Sequence, residues 1–456
     1  MSFLSKTASS VKEKDQDPNT MSFICRTAII VMIIGVAARL ILGFFMTHLY
    51  DMYHWGLVIQ NINSGNGLYE LTGFFYTPPW GYILGLEAWF QDMIGITSTG
   101  EYVTAAFQLE GIAWYYKPMV TTLGFNISIK LMFMISDLVV GYLIFWIVRD
   151  ITKDKRKAVL AFALWFLCPF VSGAGSVIGM FDTISVLMTL LAVVMLRKDR
   201  YMESGVMLCM ATLMKFFPGF LIFIFIAYII SKNRDNDVKK KLMIFVISIV
   251  VTALVLFLPQ LLDGTIADSF LFITSRLNEG VGYDNIGAVA GYIALGIYAL
   301  AIATSLIFAL RIKGNKDPVK LDGMLFDALL VTVAVMFLYP PLPQYVLLLL
   351  PFLIFMLMKD GRYKLPCIVL MIGTSVAVLA GGPTDLVAIA AYTDMLDIGS
   401  LMGIIDGYTG GINAMMLIGL VGSAVQYIGI LLILWVRFGK KIKEFAHRRT
   451  LKETVQ

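Results

Sequence analysis

The chain has 456 residues, of which 59% are hydrophobic and 15% charged, with a mean hydropathy of +0.81. A soluble domain uses roughly a quarter charged residues, so this composition excludes a soluble fold and points to an integral membrane protein. The net charge of +5 supports no nucleic-acid role, and the four cysteines stand singly beside apolar runs with no metal or disulfide spacing.

A bilayer core of about 30 Å takes about 20 apolar helical residues, and residues 22–48 supply the first such span as a retained anchor. Lys6, Lys12, Lys14 and Arg26 precede or open it. Lysine and arginine stay on the cytoplasmic side, so residues 1–21 are expected inside and the loop 49–126 outside. Within that loop, 78–95 is apolar but begins with two prolines and contains Glu87 and Asp92. If it crossed, the basic cluster 149–157 would lie outside; an interfacial helix keeps it inside.

The second span is expected at 127–148, followed by shorter ones at 158–172 and 183–196. Residues 203–230 lie between two basic clusters, LRKDRY and SKNRDNDVKKK, and must therefore go out and return. Each arm is too short to cross unaided, which predicts a broken hairpin buried in protein, with Lys215 and Pro218 at its tip. Further spans fall at 242–261, 287–311, 324–339, 344–358, 365–381 and 413–437, with basic loops and the tail 438–456 alternating onto the cytoplasmic side. The expectation is one all-α polytopic domain, residues 1–456, with about twelve passes.

Acidic residues collect in the predicted outer loops, among them Asp51, Glu87, Glu101, Glu110, Asp182, Asp263 and Asp385. Ionisable groups in the bilayer cost about 2.5 to 3.5 kcal/mol on insertion scales and mark function by default. Asp51 leads them: it ends the first span, where a carboxylate meets lipid head groups, and the amphipathic residues Tyr53, His54 and Trp55 follow it. Transfer of a sugar to a hydroxyl needs one base within hydrogen-bond reach of the acceptor, and Asp51 can be that base. Arg276 can fork onto a donor phosphate or pair with Glu279 or Asp284. Asp182 binds sugar hydroxyls or caps its helix. His54 is a substrate contact or a satisfied interfacial histidine. Asp137, in the second span, needs a partner, with Lys215 the nearest cation by depth.

These residues support a resemblance. The chain resembles the GT-C superfamily of polytopic glycosyltransferases, and within it the branch with the catalytic subunit of the first GPI-anchor mannosyltransferase and its prokaryotic relatives. SGNGLYELTGFFYTPPWGYIL is similar to that branch's first outer loop, and KLMFMISDLVVGYLIF to its second span. WFLCPFVSGAGSVIGMFDTISVLMTLL, MATLMKFFPGFLIF and LPQYVLLLLPFLIF are similar to its aspartate block, its lysine-proline hairpin and its late glutamine-tyrosine span. The resemblance implies that the catalytic acid falls on Asp51, and that Tyr76, Lys215, Gln344 and Tyr345 join Tyr53, His54, Asp182 and Arg276 around the substrates. The GPI enzymes carry an aspartate pair separated by one residue, whereas Leu49 and Tyr53 flank Asp51 here. A divalent metal therefore lacks the support of an acidic pair, and no cofactor is assigned. Residues 96–125 look like an insertion relative to that branch.

The expected activity is inverting transfer of a hexose, mannose first, from a polyprenyl or dolichyl phosphate sugar to a lipid-linked or surface glycan acceptor. The membrane would be the plasma membrane in a prokaryote and the endoplasmic reticulum in a eukaryote. The alternative is a secondary transporter, which would place polar sites near the midplane of two related halves; no matching halves are visible in the sequence.

Overall fold

The structure, a computed structural model, describes residues 18–70, 74, 76–96, 121–234, 237–270, 285–315, 317–339, 341–380, 385, 386 and 414–455. Among the described residues every regular element is a helix. Helix α1 (Pro18–Phe45) leads to α2 (Leu49–Asn63) and α3 (Pro78–Ile94). The chain continues through α4 (Leu123–Thr152), α5 (Lys155–Phe166), the short α6 (Pro169–Ser172) with its π turn Gly173–Ile178, α7 (Asp182–Arg197) and α8 (Tyr201–Met214). Then come a 3-10 turn at Phe217–Leu221, α9 (Ile222–Lys232), α10 (Val238–Asp263), α11 (Asn285–Gly314) and α12 (Pro318–Met336). A second 3-10 turn (Pro343–Leu348), α13 (Leu349–Lys359), α14 (Lys364–Leu379) and α15 (Ala414–Val455) complete the order.

Among the described residues six helices are long and apolar enough to cross a membrane, or seven if the pair Lys155–Phe166 and Pro169–Ile178, bent by 48°, is one span. The chain is thus an integral, multi-pass, all-α membrane protein. Among the described residues three further apolar helices, Tyr201–Met214, Phe217–Lys232 and Pro343–Lys359, are shorter. Their apolar residues, such as Leu208, Ile224 and Leu353, pack into the main core. Helix α3 has only 17 residues. It buries Trp80, Leu84 and Ala88 and exposes Leu86, Trp89 and Met93.

The predicted hairpin is present. The hydroxyl of Tyr201, opening α8, accepts from Asn233 Nδ2 just past α9 at 2.7 Å, so the two feet stand at one level. The fold breaks at Lys215, whose extended backbone (φ −145°, ψ 125°) ends α8. The feet belong to a polar end where other basic loops meet. Arg197 holds Asp150 and Asp322, each at 2.7 Å, Lys232 holds Asp199 at 2.9 Å, and Lys157 donates to the Met358 carbonyl at 3.2 Å. At the other end of the molecule a second apolar cluster, with Trp55, Trp80, Phe133 and Phe181 at its centre, seats α2 and α3 on α4 and α7.

A candidate sugar-transfer site around Asp51

The turn from α1 into α2 is shaped by buried polar side chains. Lys130 of α4 donates to the carbonyls of Gly43 (3.2 Å) and Met46 (2.6 Å) and to Thr47 Oγ1 (2.7 Å), serving the carbonyls that the end of α1 leaves open. The α1 helix therefore stops at Phe45, three residues short of the expected limit of the span. On the far side of the turn, the π turn after α6 offers its carbonyls. Val177 accepts from the His48 backbone N–H (3.1 Å), and Gly179 accepts from Trp55 Nε1 (3.0 Å). Gly179 has φ +74°, and a Cβ there would sit 2.4 Å from the Met52 sulfur, so this close approach requires glycine.

Asp51 consequently lies in the first turn of α2, at its positive end, with 15% of its side chain open. Burial pushes its carboxyl above the usual aspartate value; His48 and Lys215 pull it back, while Asp182 and Asp385 add to the rise. His48 stands beside it, Nε2 to Asp51 Oδ2 at 3.8 Å, and its other ring nitrogen lies 3.1 Å from Asp385 Oδ1.

Behind Asp51 is a buried ion pair, Lys215 Nζ to Asp182 Oδ2 at 3.4 Å. The ammonium also lies 4.3 Å from the ring centre of Phe181, 5.0 Å from that of Tyr345 and 5.4 Å from that of Tyr76. Aromatic faces around an ammonium help to hold its charge in a buried place. A cavity of about 10 Å³ opens between Asp182, Ser185, Lys215 and Tyr345, room for about one water. The Tyr76 phenol is pushed above its usual value, first by burial and then, against the pull of Lys215, by Asp51, and its carbonyl accepts from the Tyr69 hydroxyl at 2.8 Å.

The structure thus brings Asp51, Tyr76, Asp182, Lys215 and Tyr345 into one charge-coupled group. Gln344 is buried in the 3-10 turn that carries Tyr345. Tyr53 and His54 are half-buried on α2, His54 with its ring 5.3 Å from that of Trp55. Arg276, with Glu279 and Asp284, lies outside the described residues, as do Glu101 and Glu110.

Two expectations are corrected. Asp137 pairs with Arg39 (3.0 Å) and not with Lys215, because Arg39 on the inner face of α1 reaches it first and also donates to the carbonyls of Phe166 and Gly35. Asp182 does not cap its helix: Phe181 holds the cap position without a side-chain bond, and the Asp182 carboxylate turns to Lys215. Glu87 accepts from Gln91 Nε2 at 2.9 Å and from Ser128 Oγ, away from the Asp51 group. Sequence reasoning missed Arg39, Lys130, His48 and Asp385. The first two were legible as charges inside apolar runs. Among the described residues, no group of three or more His, Cys, Asp or Glu is gathered in a geometry that could hold a metal ion.

Carboxylates, a lysine and aromatic faces are thus gathered at one end of a helical membrane bundle. Residues 111–262, a third of the chain, match the family model of the dolichyl-phosphate-mannose-protein mannosyltransferases. The match includes α4 to α8, and with them Asp182 and Lys215; Asp51 precedes it. The narrower likeness to the first GPI mannosyltransferase is not part of that match. No curated protein matches the chain.

Proposed function

We propose that the protein transfers a hexose, mannose first, from a polyprenyl or dolichyl phosphate sugar to a lipid-linked or surface glycan hydroxyl, with inversion and with Asp51 as the general base. The observation that carries this reading is the position of Asp51. It sits six residues beyond the end of a membrane-spanning helix, partly open, with Lys215 close enough to influence its charge. The donor's lipid tail keeps its phosphate at the membrane surface, so the anomeric carbon reaches the level at which α1 ends. Asp51 takes the acceptor proton as the acceptor oxygen forms its bond to the anomeric carbon, while the sugar–phosphate bond breaks on the opposite face and the phosphate leaves with that bond's electrons. Lys215 supplies positive charge behind the base, and Tyr53, His54, Tyr76, Gln344 and Tyr345 line the approach; Arg276 is proposed for the donor phosphate.

Purified protein incubated with radiolabelled polyprenyl phosphate mannose is expected to transfer or hydrolyse the sugar. Absence of both, with uptake of a solute into proteoliposomes, would favour a transporter instead. The Asp51 end is proposed to face outside or the lumen, with α3 lying in the interface. A cysteine at Ser64 should then react with an impermeant thiol reagent from outside, and one at Lys155 should not. Labelling at Lys155 from outside would overturn the interfacial reading of 78–95 and move every later loop.

A further inference from the structure

Asp385 follows Asp51 by 334 residues, yet it enters the same corner of the molecule. Its carboxylate is buried, with 2% of its side chain exposed, and it meets the His48 ring at 3.1 Å. Its backbone carbonyl accepts from the Thr47 N–H at 2.6 Å, and Lys130 holds Thr47 Oγ1 from below at 2.7 Å. With its own N–H on the Val177 carbonyl, His48 is fixed by three remote parts of the chain. The backbone is thereby set, and Asp385 holds the ring, 40% of whose side chain is open.

We infer that His48 and Asp385 are positioning residues for Asp51: Asp385 orients the imidazole, and the imidazole holds the Asp51 carboxylate in place and ionised. This inference rests on Asp51 being the base. A histidine that merely seated the segment around Asp385 would need only its Nδ1. Here the second nitrogen, Nε2, is turned to Asp51 Oδ2 at 3.8 Å. A ring with a carboxylate at each nitrogen is favoured in its doubly protonated form, which donates from both. Other charges bear on the group: Asp51 is also reached by Lys215 and Asp182, and Asp385 by Lys130. Burial lowers the His48 pKa, but the bond to Asp385 and the charges of Asp51 and Asp385 outweigh it and leave it raised. The imidazolium therefore persists to higher pH than in water. For Asp51, burial favours the neutral acid and His48 is the largest opposing influence.

The sign of the test follows. In His48→Gln the opposing charge is lost, Asp51 titrates higher, and the acid limb of the pH–rate profile should move upward by about one unit or more, the usual effect of an adjacent opposite charge. Turnover of polyprenyl phosphate mannose by the full-length protein in nanodiscs reads this shift. Independently of turnover, the His48 ring can be titrated by NMR among the three histidines of the chain. Its titration point should fall in Asp385→Asn and also in Asp51→Asn. An acid limb in His48→Gln that coincides with the wild-type limb, or a His48 titration unmoved by Asp385→Asn, would overturn the inference. If His48→Gln does not fold, the two titrations in the aspartate variants decide it. Full turnover in Asp51→Asn would remove the base assignment and the positioning role together, whereas the NMR titrations would still report whether the three side chains are coupled.

Discussion

The two ends of the bundle use the same residue types in opposite ways. At the Arg197 end, cations and carboxylates meet at 2.6 to 3.0 Å, in pairs such as Arg200–Glu203, Arg197–Asp322 and Lys153–Asp150, several of them open to water. At the Asp51 end the spacings run from 3.1 Å for His48–Asp385 through 3.4 Å for Lys215–Asp182 to 3.8 Å for His48–Asp51, and Asp182, Lys215 and Asp385 are buried. Short exposed pairs close on each other and add little stability, typically below about 1 kcal/mol. Buried, more widely spaced charges suit the proposed anionic lipid and sugar better than exposed pairs do. Burial, more than the number of charges, distinguishes the candidate site from the solvated end.

The sharpest test of this contrast is Asp51→Asn, which keeps the shape of the side chain and removes its basicity. Turnover should fall at least about a hundredfold, the lower bound of general-base assistance, with folding preserved. Retention of more than about a tenth of wild-type turnover would show that the acid at this end is ornamental. Next, Lys215→Met strands the buried Asp182 carboxylate and should cost about 3–5 kcal/mol of stability, as breaking one side of a buried pair does. The double variant Lys215→Met/Asp182→Leu should recover much of that loss in thermal unfolding while remaining inactive. An equally unstable double variant would mean that Lys215 has other essential partners. A third test is the pH–rate profile itself. A base at Asp51, as proposed, works ionised, and burial raises its carboxyl, so activity should fade on acidification at a pH above the ordinary aspartate value of about 3.9. A limb at or below that value would contradict its buried setting. The smallest effect belongs to the other end: Lys153→Ala should change stability by no more than about 1 kcal/mol and leave turnover alone.

Much of this architecture was legible because charges in apolar sequence are expensive and few. Lys215, flanked by the basic feet at LRKDRY and SKNRDNDVKKK, announced a broken hairpin, and Tyr201 and Asn233 meet as that reading requires. Asp51 stood out by its place after the first apolar run. The partner of Asp137 was not legible, since depth alone ranked Lys215 first and the face of α1 that carries Arg39 depends on helix rotation. His48 read as the last residue of a span, and Asp385 as one acid among many in the later outer loops. Their meeting depends on long-range packing that no local pattern encodes. The two short arms of the hairpin were legible from their length, since neither is long enough to cross a bilayer unaided.

Lys130 has a further consequence for how the enzyme would respond to its membrane. By tying Gly43, Met46 and Thr47 to α4, it makes the end of the first span part of a rigid strut within the protein. A bilayer thicker or thinner than the span is usually accommodated by helix tilt or local lipid deformation, and a free helix end would carry Asp51 up or down with that tilt. With the end braced from inside, the mismatch is expected to be taken up at the other terminus of α1, leaving Asp51 at the same height relative to α4. Turnover should accordingly vary little between short-chain and long-chain lipids, and Lys130→Met should make it depend on acyl length.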